Sequence, residues 1–377
     1  MGGPVTERPP HTRVGFRATT LLVTVALAVL VGGLLNLVTV PRVVYHPGPV
    51  YDTLGTVRET EVVQLDEELE TYEDTAGHLY FTTIRLAGGP GDPLTAWEWL
   101  RSRFDPATTI VPREQVFPEN VTAEQIREQN TALMQHSQQD AAVVALRAHG
   151  TEIPEEVMVA RVMVDAPADG VLHVDDQILA VEDTEVTSTR QVQDRIQDVT
   201  PGEDVELTLL REGEEITLDV PTTRAEDTGR TIVGIYLAPV YDLPYEISID
   251  AGNVGGPSAG LMFSLAVYDK LTPGPLTDGR SVAGSGTITG TGQVGGIGGV
   301  TQKMHAAQDA DVELFLAPAA NCQEVVTGQP GDLVVVPVAT FEDALDTLEQ
   351  ASGVQDLSSL DLPTCQSVLD GAGQDDD

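Results

Sequence analysis

The feature that most constrains this chain is a run without a charged residue, from Ala18 to Val40. Wound as a helix, 23 such residues reach about 34 Å, enough to cross the roughly 30 Å of hydrocarbon in a bilayer. A cleaved export signal would have a shorter apolar region and a small-residue site of the A-x-A kind, and none follows Val40. The expectation is a retained transmembrane helix at 18–40. Arg8, Arg13 and Arg17 precede it, whereas Arg42 alone follows closely. The positive-inside rule then makes 1–17 a cytoplasmic N-terminus and puts everything after the helix on the extracytoplasmic face of the cell membrane.

That placement bears on two other features. The only cysteines, Cys322 and Cys365, fall in the exported part, where a disulfide persists. A bridge between them would pin an otherwise structureless polar tail, which ends in Asp375-Asp376-Asp377. The spacing is not C-x-x-C, and the seven histidines form no H-E-x-x-H pair, so no metal or other cofactor is expected. The charge balance, 20 Lys+Arg against 59 Asp+Glu for a net −39, repels phosphate backbones and speaks against nucleic acid as a partner.

The 377 residues suggest two or three folded units. In 41–147, a membrane-proximal strand and helix region, His46-Pro47-Gly48-Pro49 reads as a linker and Leu79–Leu86 as a strand. A short helix is expected near Thr95–Phe104. A longer one opens at Thr122, with Gln125 completing a capping box and an inward stripe that includes Leu133, Met134, Ser137, Ala141 and Val144. Nothing catalytic is legible there. A β-rich unit follows, with strands at Val157–Val164 and Gln177–Val181. Val192, Ile196 and Val199 mark an amphipathic helix, and a hairpin turns at Glu212-Gly213. After the polar link Thr222–Arg230 come further strands, two helices and a glycine-rich crossing.

Two motifs carry the chemistry. Gly255-Gly256-Pro257-Ser258-Ala259-Gly260 leads into an apolar helix reaching about Leu271. A serine at a helix start meets free N–H groups that favour negative charge, which suits a nucleophile and its oxyanion. Helix capping is an equally good reading of Ser258 taken alone. The second motif runs from Gly295 to Met304, and its helix puts Lys303 on one face with Ala306, Ala307 and Ala310, opposite Gln302, His305 and Asp309. A lysine desolvated in such a stripe has a lowered pKa and supplies a neutral amine as base. The alternative is a lysine that snorkels to water.

Taken together these segments resemble the Lon proteolytic domain over about 232–350: GGPSAGLMF, AGSGTITGTGQVGGIGGVTQKMHAA and ELFLAPAAN. GPSAG followed about 40 residues later by IGG-x-x-x-K is a specific pairing. The resemblance implies a serine–lysine dyad, Ser258 as nucleophile and Lys303 as base, supported by Gly256, Pro257, Ala259 and the hydroxyl of Ser285, where the family commonly has Thr. Gly255 departs from the Asp that many Lon proteins carry before Gly-Pro-Ser. No G-x-x-x-x-G-K-[ST] occurs, so cleavage would be ATP-independent. A ring, taken as a hexamer, is also implied.

The β-rich unit resembles a bacterial PDZ domain through Pro167–Leu172, Asp176–Leu179 and Val181. That implies a groove taking an extended peptide by strand addition. The glycine-rich carboxylate loop is expected before the first core strand, where Glu152-Ile153-Pro154-Glu155-Glu156 stands, and its acids would repel a carboxylate. Anchor, PDZ unit and Lon-like domain together resemble the PDZ–Lon-like serine peptidases of Gram-positive bacteria. The expected fold is α+β and multidomain: transmembrane helix, PDZ-like β-rich domain at 148–222, Lon-type α/β proteolytic domain at 230–350 and acidic tail at 351–377. The expected function is a serine endopeptidase acting on proteins or peptides. Its rival is a catalytically inactive PDZ/Lon-like scaffold of the cell envelope. Asn253-Val254-Gly255-Gly256-Pro257 imitates a trypsin-like motif but has Val in the nucleophile's place. Gly290–Gly295 matches G-x-G-x-x-G without a repeated βαβ pattern, and tight backbone packing explains it better.

Overall fold

The computed structural model describes residues 16–72, 76–118, 121–226, 228–328 and 331–372. Arg8, Arg13 and the terminal Asp375–Asp377 lie outside the described residues. In chain order the elements used below are α1 (Phe16–Leu37), β1 (Arg42–Asp52), β2 (Val63–Leu65), β3 (His78–Ala87), α2 (Ala96–Ser102), β4 (Thr109–Pro112), α3 (Ala123–Ala148), β5 (Glu155–Val162), β6 (Gln177–Val181), α4 (Thr189–Asp198), β7 (Asp204–Arg211), β8 (Glu214–Pro221) and β9 (Ile235–Tyr241). They continue with β10 (Ile247–Ile249), α5 (Gly260–Leu271), β11 (Ser281–Gly284), α6 (Val300–Asp309), β12 (Leu314–Pro318), α7 (Cys322–Gly328), β13 (Val334–Val338), α8 (Phe341–Ala351) and α9 (Cys365–Ala372).

Helix α1 contains one stretch, Ala18–Leu37, long and apolar enough to cross a membrane, and it is solvent-exposed rather than packed in a core. Two sheets build the rest. The first, of six strands, is ordered β13-β12-β11-β3-β1-β4. Its β13, β12, β11 and β3 run parallel, and β1 pairs antiparallel with β3 and β4. Parallel sheets need both faces covered. Apolar α5, whose Leu261, Met262, Phe263, Leu265 and Ala266 are fully buried, shares its core with Leu79, Phe81, Val282, Leu314 and Leu316. Helix α6 belongs to a second cluster, with Val300, Met304 and Ala307 against Ala283, Phe315 and Ala317.

Region 41–147 is therefore part of this sheet: β1, β3 and β4 supply three of its six strands. The reason is physical. Strand β11 has only β12 on one side, and its other edge is satisfied by β3, about 200 residues earlier in sequence, through pairs such as Val282 with Leu79. Helix α3 opens on the expected capping box, in which the Thr122 hydroxyl and the Gln125 side chain each satisfy the other's backbone N–H. Its Ala141–Leu146 run is buried in the α5 core.

The second sheet, ordered β8-β7-β6-β5-β9, is antiparallel throughout and has its own core of Val157, Val159, Ile178, Val192, Ile196, Leu207 and Leu209. The expected hairpin is β7–β8. Strand β9, assigned from sequence to the last domain, pairs with β5 and forms the edge of this sheet instead. The tail also differs from the expectation of disorder after Pro363. Cys365 opens α9 and is bridged to Cys322 of α7, with their Cα atoms 4.8 Å apart, and Cys365 and Leu369 join the α6 cluster. The covalent tie and one apolar side chain hold a segment whose composition alone gives no reason to fold.

Candidate active site

Ser258 stands in the turn before α5, which begins at Gly260 with Ala259 at its N-cap and no side-chain cap. The capping role is thus unused. The Ser258 hydroxyl lies 2.7 Å from the Lys303 Nζ, and Nζ is also 2.7 Å from the Ser285 Oγ. Ser285 Oγ in turn donates to the Ser258 carbonyl at 2.8 Å, which the Gly286 N–H also reaches at 2.9 Å. Lys303 is 2% exposed, so it does not snorkel to water. Burial alone pulls its amine down to about 7. Ser258 is half-buried, while Ala259 and Ser285 are fully enclosed.

The sequence placed Gln302 on a face opposite Lys303. Gln302 is buried as well, because the turn before β4 and β4 itself cover it: its Nε2 donates to Thr109 Oγ1 (2.9 Å) and to the Ala107 carbonyl (3.3 Å). Ala310, expected in the apolar stripe, is exposed at the helix end.

Helix α3, where nothing catalytic was legible, braces the Ser258 loop from the other side. Gly256 N–H donates to the Asn130 carbonyl at 2.9 Å, Ser137 Oγ to the Pro257 carbonyl at 3.0 Å and Gln138 Nε2 to the Ile249 carbonyl at 2.8 Å. The signal available in the sequence was Ser137, a hydroxyl within an apolar stripe. Asn130 and Gly255 approach so closely that a Cβ on Gly255 would lie 2.9 Å from the Asn130 Cβ. This explains the departure at that position: an Asp does not fit while α3 stays where it is. Between α3 and 249–255 lies a cavity of about 650 Å³, lined by Asn130, Met134, Gln138, Asp250, Asn253 and Gly255 among others. No cluster able to hold a metal ion occurs among the described residues.

The β-rich unit offers a second concavity, away from the acidic segment singled out in the sequence. Glu155 accepts from the Thr189 N–H at 3.0 Å and lies 3.9 Å from Arg147, so its charge is engaged within the fold. The concavity, about 520 Å³, runs between α4 and the exposed edge of β9, with Ile196, Val233, Gly234, Ile235 and Leu237 in its wall. Gly234 has φ +82° and its missing Cβ would strike Ala166, so glycine is required there. This glycine turn leads into the last strand of the unit, β9, and no glycine stands in the segment before its first strand, 152–156.

Residues 245–349 match the Lon protease (S16) C-terminal proteolytic domain, and residues 125–222 match the PDZ domain. The Lon protease of Escherichia coli (strain K12) is 30% identical over 152 residues, 39% of this chain and 19% of that protein. The archaeal Lon protease of Methanothermobacter thermautotrophicus is 34% identical over 108 residues, 28% of this chain and 16% of that one. The chain thus spans less than a fifth of the length of these curated relatives. A solved PDZ domain of an SdrC-like protein from Listeria monocytogenes is 27% identical, covers 22% of this chain and 85% of its own, and has a TM-score of 0.21. In one polypeptide, behind an apolar helix of membrane length, this chain carries a PDZ domain and a proteolytic domain of the Lon protease (S16) family.

Proposed function

We propose that the protein is an ATP-independent serine endopeptidase, anchored by α1, that cleaves proteins or peptides at the extracytoplasmic face of the membrane with Ser258 as nucleophile and Lys303 as general base. The observation that carries this is the enclosed amine within 2.7 Å of both Ser258 and Ser285. Neutral Lys303 takes the Ser258 proton as Oγ adds to the scissile carbonyl. The oxyanion forms beside the start of α5, where N–H groups favour negative charge. The ammonium then returns its proton to the leaving amine. The acyl-enzyme remains, and a water deprotonated by Lys303 hydrolyses it. Ser285 keeps the amine aimed, and Gly256, Pro257 and Ala259 shape the turn. The proposal extends to a ring, a hexamer by resemblance to Lon, and to an extended peptide added along β9 in the PDZ groove.

The test is cleavage of an unstructured protein by the full chain in detergent, with and without ATP, beside Ser258→Ala and labelling by a serine-reactive phosphonate. Cleavage without ATP, lost in Ser258→Ala together with the label, is expected. Neither label nor cleavage in well-folded wild type would leave the scaffold reading in its place.

A further inference from the structure

Both tryptophans of the chain lie in one short segment, Trp97-Glu98-Trp99-Leu100-Arg101-Ser102-Arg103-Phe104. Trp99 turns inward and packs against Val44, Ala87 and Leu94. Trp97 and Leu100 of α2, and Phe104 in the turn after it, do the opposite, with exposures of 46%, 37% and 80%. Their spacing, i, i+3 and i+7, gathers them on one side of the segment. Arg101 and Arg103 beside them are exposed too, two cations on a chain of net charge −39. Two acids lie within or next to the segment: Glu98 stands 3.8 Å from His46 on the side of the helix away from Leu100, and Asp105 accepts from the Ala107 N–H at 3.0 Å in the turn that follows.

The position of this face says what covers it. Ala96 N–H donates to the Val38 carbonyl at 2.8 Å, Val40 N–H to the Leu94 carbonyl at 2.9 Å, and Thr39 bridges Thr95. Helix α2 is therefore stitched to the three residues that follow α1, about one strand spacing away. If α1 spans the bilayer, α2 lies at headgroup depth, where Trp is favoured and anionic phosphates attract arginine. We propose that α2 and Phe104 form a lipid-docking face, with Trp97, Leu100 and Phe104 inserted among the headgroups and Arg101 and Arg103 on anionic phosphates. The catalytic body is then held against the bilayer in one orientation. This rests on α1 being a membrane anchor, as proposed above.

The test uses the full chain in vesicles of phosphatidylcholine and phosphatidylglycerol with acyl chains brominated close to the carbonyls. In Trp99→Phe, Trp97 is the one tryptophan left and is excited selectively at the red edge, beyond tyrosine absorption; the difference between wild type and Trp97→Phe gives the same reading without touching the packed Trp99. Trp97 should lose most of its emission to lipid bromine and little to iodide in the water. Its blue shift should be larger with phosphatidylglycerol than without, and Arg101→Gln with Arg103→Gln should remove that difference. Quenching by iodide with none by bromine overturns the proposal. Protection from both overturns it as well, and points to a second copy of the chain on this face. Alkaline carbonate extraction separates the premise: protein retained in the vesicles with Trp97 unquenched sinks the docking face alone, whereas release of the protein sinks anchor and docking face together.

Discussion

An amine enclosed at Lys303 with two hydroxyls beside it loses its hydration and finds no carboxylate to replace it, which is why burial draws it down to about 7. If Lys303 must be neutral to accept the Ser258 proton, kcat/KM should climb with pH through a single ionisation near 7 and then level off. A profile flat from pH 5 to 9 would contradict the assignment. The same shift has a thermodynamic side. The folded value lies below the ordinary 10.5, so the unfolded chain binds the extra proton between about 7 and 10.5. The stability at stake is fully present above 10.5 and is lost as pH falls through about 7. Lys303→Met, close in shape and free of charge, should therefore abolish cleavage yet raise Tm at pH 7, with the gain shrinking towards pH 10, measured by calorimetry across that range. Ser137 acts at one remove. Ser137→Ala frees the Pro257 carbonyl and should lower kcat about tenfold with KM little changed, whereas Ser137→Thr, which keeps the hydroxyl, should recover much of the loss.

At the scale of elements, the part α3 plays beside Ser258 and the folding of α9 are where composition and periodicity said least. The apolar alternation of β3, the capping box of α3, the β7–β8 turn and the IGG-x-x-x-K helix were legible because each is written in a local run. The pairing of β3 with β11, the return of β9 to β5 and the contact of Asn130 with Gly256 join residues 73 to 203 positions apart, and no local period encodes them. For the candidate site, a serine at a helix start and a lysine among alanines drew the eye to Ser258 and Lys303, and only the resemblance to Lon joined them and added Ser285; Ser137 left a hydroxyl in an apolar stripe, while Asn130 and Gln138 resemble any helix surface. Gly255→Asp tests the close approach directly. With 2.9 Å between the Cβ atoms, α3 must move, and activity should fall more than Tm does; unchanged kinetics would mean the loop yields instead. The bridge closes a loop of 43 residues, for which chain entropy gives roughly 3–4 kcal/mol. Cys365→Ser should lower stability by up to that amount and release α9, read by alkylation and limited proteolysis, while the Ser258–Lys303 pair on other elements keeps working.

Across the whole molecule the two domains meet at Arg147, near the end of α3. Its guanidinium donates to the Gly290 carbonyl at 2.8 Å and the Ile153 carbonyl at 2.9 Å, stands 3.9 Å from Glu155 of β5 and lies over the ring of Tyr241 in β9. Asp140, about two turns back on α3, is pushed up to about 6 by burial, with His136 and the Gly290 N–H pulling against it and Glu155 adding to it. The stability linked to Asp140 is present below about 3.8 and is lost as pH rises through about 6, so Asp140→Asn should raise Tm at pH 7 and leave it unchanged at pH 3.5. The outer edge of β9 is unpaired in the sheet, and its inner residues Ile235 and Leu237 face the concavity that α4 closes. An extended peptide that added there would gain main-chain hydrogen bonds from the edge and apolar contact from those two side chains. Leu237→Asp places a carboxylate in that wall without approaching Ser258. It should leave kcat/KM for a short unstructured peptide unchanged and raise KM for a protein ending in an apolar C-terminus by about tenfold or more, since one buried apolar contact is worth about 1.5–3 kcal/mol. Equal losses on both substrates would mean that the groove supports the fold and selects nothing.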